Sequence, residues 1–194
     1  CRNTELALTL AGLPKSPPHV LMDDEKGGYI AARHLIELGH KRIIGVFKAD
    51  DSQGYDRHKG FVKGLNEAGI LYDPDLIIWY HTEDKEIKPA VQINALIKRN
   101  RDITAVVCYN DQIALLIIKE LSKMGLSVPA DISVMGFDNS DIADETGLTS
   151  IAHPKDELGK KAADKLLRLI NGEDVKKCDL MDVQIVVRNS TRKL

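Results

Sequence analysis

The sequence predicts an α/β fold with a mostly parallel sheet. Short β-branched apolar runs alternate along the chain with stretches that have apolar residues at helical spacing. Several of the short runs are apolar at every position, as is typical of parallel strands covered on both faces. Glycine follows three of the helical stretches, at Gly39, Gly69 and Gly125, where a helix commonly ends. Together these features place the chain in the α/β class.

The individual elements follow from the same patterns. Strands are predicted where the chain is short, apolar and rich in Val and Ile, at Val20–Met22, Arg42–Phe47, Leu76–Trp79, Ala105–Cys108, Ile132–Gly136, Leu148–Ile151 and Val183–Val187. Helices are predicted where apolar residues recur three to four positions apart, at Gly27–Leu38, Gly54–Ala68, Ile87–Arg99, Asp111–Met124 and Lys155–Ile170.

Composition excludes several classes of protein. The 194 residues carry 27 Lys and Arg against 29 Asp and Glu, a net charge of −2, which argues against a domain that mainly binds phosphate backbones. No apolar run approaches the roughly 20 residues that span a bilayer, so we expect no membrane partner. Three scattered cysteines, Cys1, Cys108 and Cys178, do not form a disulfide framework. They favour a reducing compartment, and we expect a cytoplasmic location.

The last predicted helix carries an apolar stripe that needs a partner. Leu158, Ala162, Leu166 and Ile170 recur at four-residue intervals and form one face. This face either packs on the sheet already predicted or packs on a sheet built by residues before Cys1. The pattern alone leaves both interpretations open.

Polar residues follow three of the strongest strands. The segment from Lys48 to Arg57 follows one strand, Asn110 follows another, and Asp138 follows a third. In an open parallel sheet, ligands bind beyond the carboxyl ends of the strands. Carboxylates, carboxamides and a guanidinium supply paired donors and acceptors that suit vicinal hydroxyls. Alternatively, these residues are ordinary turn formers and helix caps, and Asn110 or Asp111 caps the helix that follows.

Enzymatic signatures are largely missing from the sequence. It contains no nucleophile elbow, no phosphate-binding loop and no dinucleotide fingerprint after a strand. His34 and His40 are six residues apart, a spacing that compact helical zinc motifs do not use. Cys108 is interpreted as a core residue rather than a reactive thiol, and Trp79 and Tyr80 as packing residues rather than a stacking surface for a sugar ring. We therefore predict no catalytic residue, no metal and no cofactor.

Several motifs together resemble the lactose/galactose repressor (LacI/GalR) family. The most specific is the segment 128–139, Val-Pro-Ala-Asp-Ile-Ser-Val-Met-Gly-Phe-Asp-Asn. Further matching segments occur in the same order as in that family, at 23–28, 34–43, 57–61, 108–114 and 148–159. Within the family, the segments 47–54, 108–111 and 153–155 are similar to the arabinose-repressor branch, and His153 stands where many relatives have Gln.

The resemblance implies a periplasmic-binding-protein-like type I fold with two Rossmann-like subdomains. On that basis, residues 1–23 are a remnant of the N-terminal subdomain and the first crossover, and residues 24–152 form the C-terminal subdomain. Residues 153–180 carry a helix that returns to the N-terminal subdomain, and residues 181–194 form the final strand and tail of the C-terminal subdomain. Most of the N-terminal subdomain is then expected to lie before Cys1.

The resemblance also implies a function. It points to the effector-binding domain of a bacterial repressor whose effector is a monosaccharide, L-arabinose in that branch. The sugar is expected to bind in a cleft between the subdomains and to control DNA binding allosterically. Arg57, Asn110 and Asp138 would bind its hydroxyls, Gln53, Lys48 and Asp51 would add contacts, and Asp23 would lie near the cleft. Operator DNA would be bound only by a separate N-terminal domain of GntR or helix-turn-helix type, in a homodimer.

Two other functions remain as alternatives. A periplasmic sugar-binding protein of a transporter shares the fold but requires a signal peptide. An enzyme on a doubly wound sheet would require a nucleophile, a metal cluster or a phosphate loop, and turnover of a bound sugar would favour it.

Overall fold

The computed structural model describes residues 17–100 and 102–194, in which helices and strands alternate as predicted. The strands are β1 (His19–Met22), β2 (Ile43–Lys48), β3 (Ile77–Tyr80), β4 (Ala105–Cys108), β5 (Ser133–Asp138), β6 (Thr149–Ala152), β7 (Cys178–Met181) and β8 (Gln184–Val186). The α-helices are α1 (Asp24–Glu37), α2 (Ser52–Glu67), α3 (Lys88–Arg99), α4 (Asp111–Lys123), α5 (Asp141–Glu145) and α6 (Lys155–Ile170). No helix in these ranges is both long and apolar enough to cross a membrane.

Six strands form one sheet in the order β3-β2-β4-β5-β6-β8. Neighbouring strands from β3 to β6 are parallel, and β8 pairs antiparallel with β6. The prediction of a mostly parallel sheet is confirmed. Because β3 and β4 lie on opposite sides of β2, the strand order reverses between β2 and β4. The carboxyl ends of two such strands diverge into a crevice, which is the usual ligand position in this class of sheet.

Helices cover both faces of this sheet, which explains the continuous apolar runs in its strands. On one face, Ile93 of α3 and Ile117 of α4 are fully buried in a cluster with Ile44 and Val106. On the other face, Phe61 of α2 packs on Phe47 of β2, with ring centroids 5.6 Å apart.

Helices α1 and α2 approach each other closely at glycine positions. A Cβ atom at Gly28 would collide with the carbonyl oxygen of Arg57, and a Cβ atom at Gly60 would collide with that of Glu25. Gly27 lies against the ring of Phe137 with equally little space. Gly28 and Gly60 therefore let α1 and α2 pack closely, which brings the start of α1 to Arg57 on α2, and Gly27 leaves room for Phe137 of β5.

The helix ends agree with the glycine pattern of the sequence. Gly39, Gly69 and Gly125 have φ angles of 99°, 69° and 77°, and each lies two residues after the end of a helix. Glycine adopts this left-handed conformation without the steric cost that a side chain would add. The predicted helix ends at these three glycines are confirmed.

The described residues divide into two compact units. The larger contains residues 24–152 and 184–194, and the smaller contains residues up to 23 together with 153–183. In the smaller unit, β1 and β7 form a parallel two-stranded sheet that contacts α6. Lys165 of α6 donates a hydrogen bond to the carbonyl of His19 at 2.9 Å and pairs with Asp179 at 2.6 Å. Ile170 of the apolar stripe remains 71% exposed.

The structure contains features that the sequence did not predict. Strand β7 and the short helix α5 were not predicted, because Cys178–Met181 contains an aspartate and Asp141–Glu145 is only five residues long. The smaller compact unit extends to Val183, and Met181 within it pairs with Met22 of β1. Strand β8 is antiparallel because it reaches the sheet from a short connection after β7 rather than through a crossover helix.

Candidate functional site

The candidate site lies in the larger unit, where β2, β4 and β5 end. The segment after β2 leads into α2, the segment after β4 leads into α4, and β5 ends at Asp138. Six of the seven predicted site residues belong to these segments. The site therefore occupies the crevice expected where the strand order reverses.

Arg57 is the central cation of the site and is only 2% exposed. Its Nε donates to Oδ1 of Asp24 at 2.8 Å, and its Nη1 donates to the carbonyl oxygen of Tyr109 at 2.6 Å. The guanidinium lies 3.8 Å from the ring centroid of Phe137 and 4.7 Å from that of Tyr109. These contacts leave the guanidinium little freedom to move, so its remaining N–H groups have a fixed direction.

Asp138 faces the other side of this guanidinium. Its Oδ1 lies 3.8 Å from Nη2 of Arg57, beyond hydrogen-bond distance, and its side chain is 37% exposed. Its φ angle of 101° is one that side-chain-bearing residues rarely adopt, and the next residue, Asn139, has a φ of 44°. Such backbone outliers cluster at ligand sites, where the surrounding structure holds them in place.

Asn110 lies at the start of α4. Its Oδ1 accepts a hydrogen bond from the backbone N–H of Ile113 at 3.0 Å, so the helix-cap interpretation of this residue is confirmed. The cap uses only the oxygen of the carboxamide. The Nδ2 group stays available as a donor at the strand end, so the cap and ligand interpretations are compatible.

Lys48 and Asp51 form a hydrogen-bonded group with Tyr109. Asp51 caps α2 by accepting from the N–H of Gly54 at 2.7 Å, and its Oδ2 accepts from the hydroxyl of Tyr109 at 2.7 Å. Nζ of Lys48 lies 3.1 Å from the same oxygen. Burial opposes ionisation of Asp51, but the hydrogen bonds from Tyr109 and Gly54 and the charge of Lys48 outweigh it and lower the pKa of this carboxyl.

Gln53 joins the site through a residue that sequence reasoning missed. Its Nε2 donates to Oδ2 of Asp24 at 3.3 Å, and Asp24 is itself 7% exposed. Asp24 is the first residue of α1, and its carboxylate connects Gln53 with Arg57. No local signal in the sequence reveals this contact, because Asp24 and Arg57 are 33 positions apart.

The remaining candidates are Asp23, Trp79 and Tyr80. Asp23 belongs to the smaller unit, where its N–H donates to the carbonyl of Met181 at 2.9 Å. Trp79 packs among Phe47, Tyr55 and His58, and Tyr80 is 2% exposed and packs edge-on to Tyr109. Their interpretation as packing residues is confirmed.

Chemically reactive groups are few in the described part of the chain. Cys108 is fully buried at the end of β4, and burial raises the pKa of its thiol, so its interpretation as a core residue is confirmed. The described residues contain no cluster of three or more His, Cys, Asp or Glu side chains that could hold a metal ion. The polar groups at the strand ends are therefore suited to hydrogen bonding.

Comparison with known proteins identifies the family. A model of the periplasmic binding protein-like domain matches residues 32–191. The chain belongs to the periplasmic binding protein-like family. Its relatives are regulators: the arabinose metabolism transcriptional repressor of Geobacillus stearothermophilus is 41% identical over 188 residues, covering 94% of this chain and 52% of that protein.

Two further matches support the same grouping. The HTH-type transcriptional repressor PurR of Aliivibrio salmonicida is 33% identical over 201 residues, covering the whole chain and 60% of that protein. A LacI-family transcriptional regulator from Enterococcus faecium, solved with bound ribose, superposes with a TM-score of 0.79 at 30% identity and covers 91% of this chain and 66% of that one. The resemblance to LacI/GalR repressors and the periplasmic-binding-protein-like fold are confirmed. The chain spans about half to two thirds of the length of these relatives.

Proposed function

We propose that this chain is the effector-binding domain of a transcriptional repressor and that the effector is an uncharged monosaccharide, L-arabinose. The gap between Arg57 and Asp138 carries the proposal. A hydroxyl group both accepts and donates hydrogen bonds, so one sugar hydroxyl lying beside these two atoms, which are 3.8 Å apart, can accept from Nη2 of Arg57 and donate to Asp138. The Nδ2 group of Asn110 and the Oε1 atom of Gln53 supply a further donor and a further acceptor for neighbouring hydroxyls.

The relatives support both the role and the sugar. The most similar of the three described above is a repressor of arabinose metabolism, and the solved regulator from Enterococcus faecium holds ribose, a pentose. In our proposal Lys48 and Asp51 shape the site through Tyr109. Residues 1–23 are assigned to an N-terminal subdomain and residues 24–152 to the C-terminal subdomain. Asp23 then lies at the crossover between the two. Residues 153–180 return to the N-terminal subdomain.

Regulation in this proposal needs no chemical reaction. A sugar that binds better between closed subdomains than between open ones shifts the equilibrium to the closed arrangement. In a homodimer, closure changes the spacing of the DNA-binding domains at two operator half-sites. Those domains would lie in another part of the protein, of GntR or helix-turn-helix type, and the protein would act in the cytoplasm without a cofactor.

Isothermal titration calorimetry of the full-length protein tests the proposal. We expect saturable binding of L-arabinose and much weaker binding of D-galactose, D-ribose and D-xylose. Asp138→Ala removes a partly exposed sugar-binding carboxylate and is expected to raise the Kd at least about tenfold. Asp141→Ala removes an exposed carboxylate three residues away and serves as the matched control, with unchanged affinity.

Each other outcome has a defined meaning. Preference for a different sugar keeps the sensor function and rejects arabinose. Binding of a purine base such as adenine, with no heat from any sugar, rejects the sugar proposal altogether. Consumption of the sugar during titration would indicate an enzyme.

A further inference from the structure

Asp111 is a buried carboxylate near the site whose three side-chain hydrogen bonds come from Ser140 and Ser150. It is the first residue of α4 and is 1% exposed. Its Oδ2 accepts from both the backbone N–H and the Oγ of Ser140, each at 2.8 Å. Its Oδ1 accepts from Oγ of Ser150 at 2.6 Å. These three bonds, together with the helix N-terminus, satisfy the buried charge.

The same bonds hold the turn that presents Asp138. Asp138 and Asn139 both have positive φ angles, which persist only where neighbouring contacts fix them. Ser140, which follows them, is bound at two atoms by Asp111. The N–H of Asn139 donates to Oγ of Ser150 at 3.0 Å, and that hydroxyl in turn donates to Asp111.

Two further residues complete this arrangement. A Cβ atom at Gly136 would collide with Oδ1 of Asp111, so the glycine in β5 makes room for the carboxylate. On the other side of the turn, Nη2 of Arg188 donates to Oδ1 of Asn139 at 2.8 Å, and its Nη1 donates to the carbonyl of Leu148 at 2.9 Å. The turn is thus held from two directions, by Asp111 and by Arg188.

We infer that Asp111 is a positioning residue for the effector, an inference that rests on the proposed function. Asp111 directly follows Asn110 in sequence and binds the turn that carries Asp138. It therefore sets the distance between two sugar-binding side chains, Asn110 and Asp138, which follow different strands. Through Asp138 it also sets the width of the gap beside Arg57.

Asp111→Asn tests this role, because asparagine keeps the size of the side chain but replaces one acceptor oxygen with a donor. The amide NH2 group of asparagine would face the donors of Ser140 or Ser150, so it cannot accept the hydrogen bonds that the carboxylate oxygen accepts. We expect the Kd for L-arabinose to rise about tenfold or more, the scale of a lost hydrogen bond to a charged group. Ser140→Ala removes one bond and keeps the charge, so it is expected to fold normally and to weaken binding by a smaller factor.

Ser190→Ala is the matched control. Ser190 is 6% exposed, and its Oγ donates to the carbonyl of Val134 at 2.6 Å and accepts from the N–H of Thr149 at 2.8 Å. These bonds are also buried, but they involve neither Ser140 nor Ser150, the residues that Asp111 binds. We expect Ser190→Ala to lower the melting temperature and to leave the Kd unchanged.

A double-mutant cycle separates positioning from general stability. If Asp111 acts through Asp138, Asp111→Asn raises the Kd of the wild type but does not raise the Kd of Asp138→Ala any further. Each Kd is measured by titrating the sugar to saturation. Independent losses, or equal effects of Asp111→Asn and Ser190→Ala on the Kd, overturn the positioning role while the proposed function stands. A wild-type protein that binds no sugar overturns both.

Discussion

The Nε atom of Arg57 lies 2.8 Å from Oδ1 of Asp24, so the buried cation of the site already has a counter-charge within the protein. Removing a guanidinium from water is costly, and a hydrogen-bonded carboxylate offsets much of that cost. The pair also joins α1 to α2. A ligand at Arg57 therefore meets a neutral pair with directional N–H groups rather than an uncompensated positive charge.

Loss of Asp24 is expected to destabilise the protein strongly. Asp24→Ala leaves Arg57 buried without its counter-charge, which costs about 3–5 kcal/mol in the free energy of unfolding. Urea denaturation measures this value. Glu25→Ala is the control at the adjacent position, since Glu25 pairs at 2.6 Å with a Lys59 side chain that is 69% exposed, and little change is expected. Equal decreases in the free energy of unfolding in the two variants would contradict the expectation that the buried ion pair contributes more than the exposed one.

Gly28 is expected to tolerate no side chain. In Gly28→Ala the added Cβ collides with the carbonyl oxygen of Arg57, so α1 and α2 must separate, at a cost of about 1–3 kcal/mol. Thermal denaturation and sugar titration both measure the effect, because the shift also moves Arg57. In α6, Gly159 has open space around its position, and Gly159→Ala is expected to be neutral or to stabilise by about 0.5–1 kcal/mol.

Stability is expected to fall as the pH is lowered from 7.5 to 5.5. Burial is the main cause that lowers the pKa of His34, His40 and His58 below the ordinary value. The unfolded chain binds protons at these histidines near pH 6.5, before the folded protein does. Stability is therefore complete above about pH 6.5 and decreases as the pH falls toward the lower folded-state pKa values.

Urea denaturation at several pH values measures the slope of the free energy of unfolding against pH. His40→Gln is expected to flatten it, since His40 is 1% exposed and bonded to Thr104 and to the carbonyl of Arg192. His81→Gln changes an exposed histidine and is expected to leave the slope as it is. An unchanged slope in His40→Gln would assign the pH dependence to other groups.

Phosphorylated sugars are expected to bind more weakly than free sugars. Two cations and four carboxylates surround the strand ends: Lys48, Arg57, Asp24, Asp50, Asp51 and Asp138. A hydrogen bond from Thr82 is the main cause that lowers the pKa of Asp50 to about 2, so this carboxylate stays ionised at neutral pH. Calorimetry with L-arabinose and L-arabinose 5-phosphate should give a Kd at least about tenfold higher for the phosphate. Tighter binding of the phosphate would contradict an uncharged effector.

The sequence predicts the sheet well because its signals are local. Ala105–Cys108 is found as predicted, since four consecutive apolar residues suit a strand that is covered on both faces. Lys155–Ile170 is likewise found as predicted from its apolar spacing. By contrast, β7 is half exposed and contains Asp179, so its strand character arises from pairing with β1 and has no local signal.

The site is predictable only in part, for a related reason. Motifs locate Arg57, Asn110 and Asp138 at strand ends, because each lies next to a recognisable segment. The sequence does not predict the partners of Arg57. Asp24 contacts it because α1 packs on α2, and Tyr109 contacts it because β2 pairs with β4. Long-range contacts of this kind require the folded structure.

The helix cap at Asn110 would restrict how the specificity of the proposed site can evolve. Its oxygen begins α4 while its nitrogen faces the strand end, so a replacement chosen for a new ligand must also serve as a helix cap. Aspartate, serine and threonine meet that condition, and larger or apolar residues do not. Gln53 is under no such demand, because it lies within the first turn of α2 after the cap at Asp51. Directed evolution of a biosensor for a new sugar should therefore begin by varying position 53 and leave position 110 as asparagine.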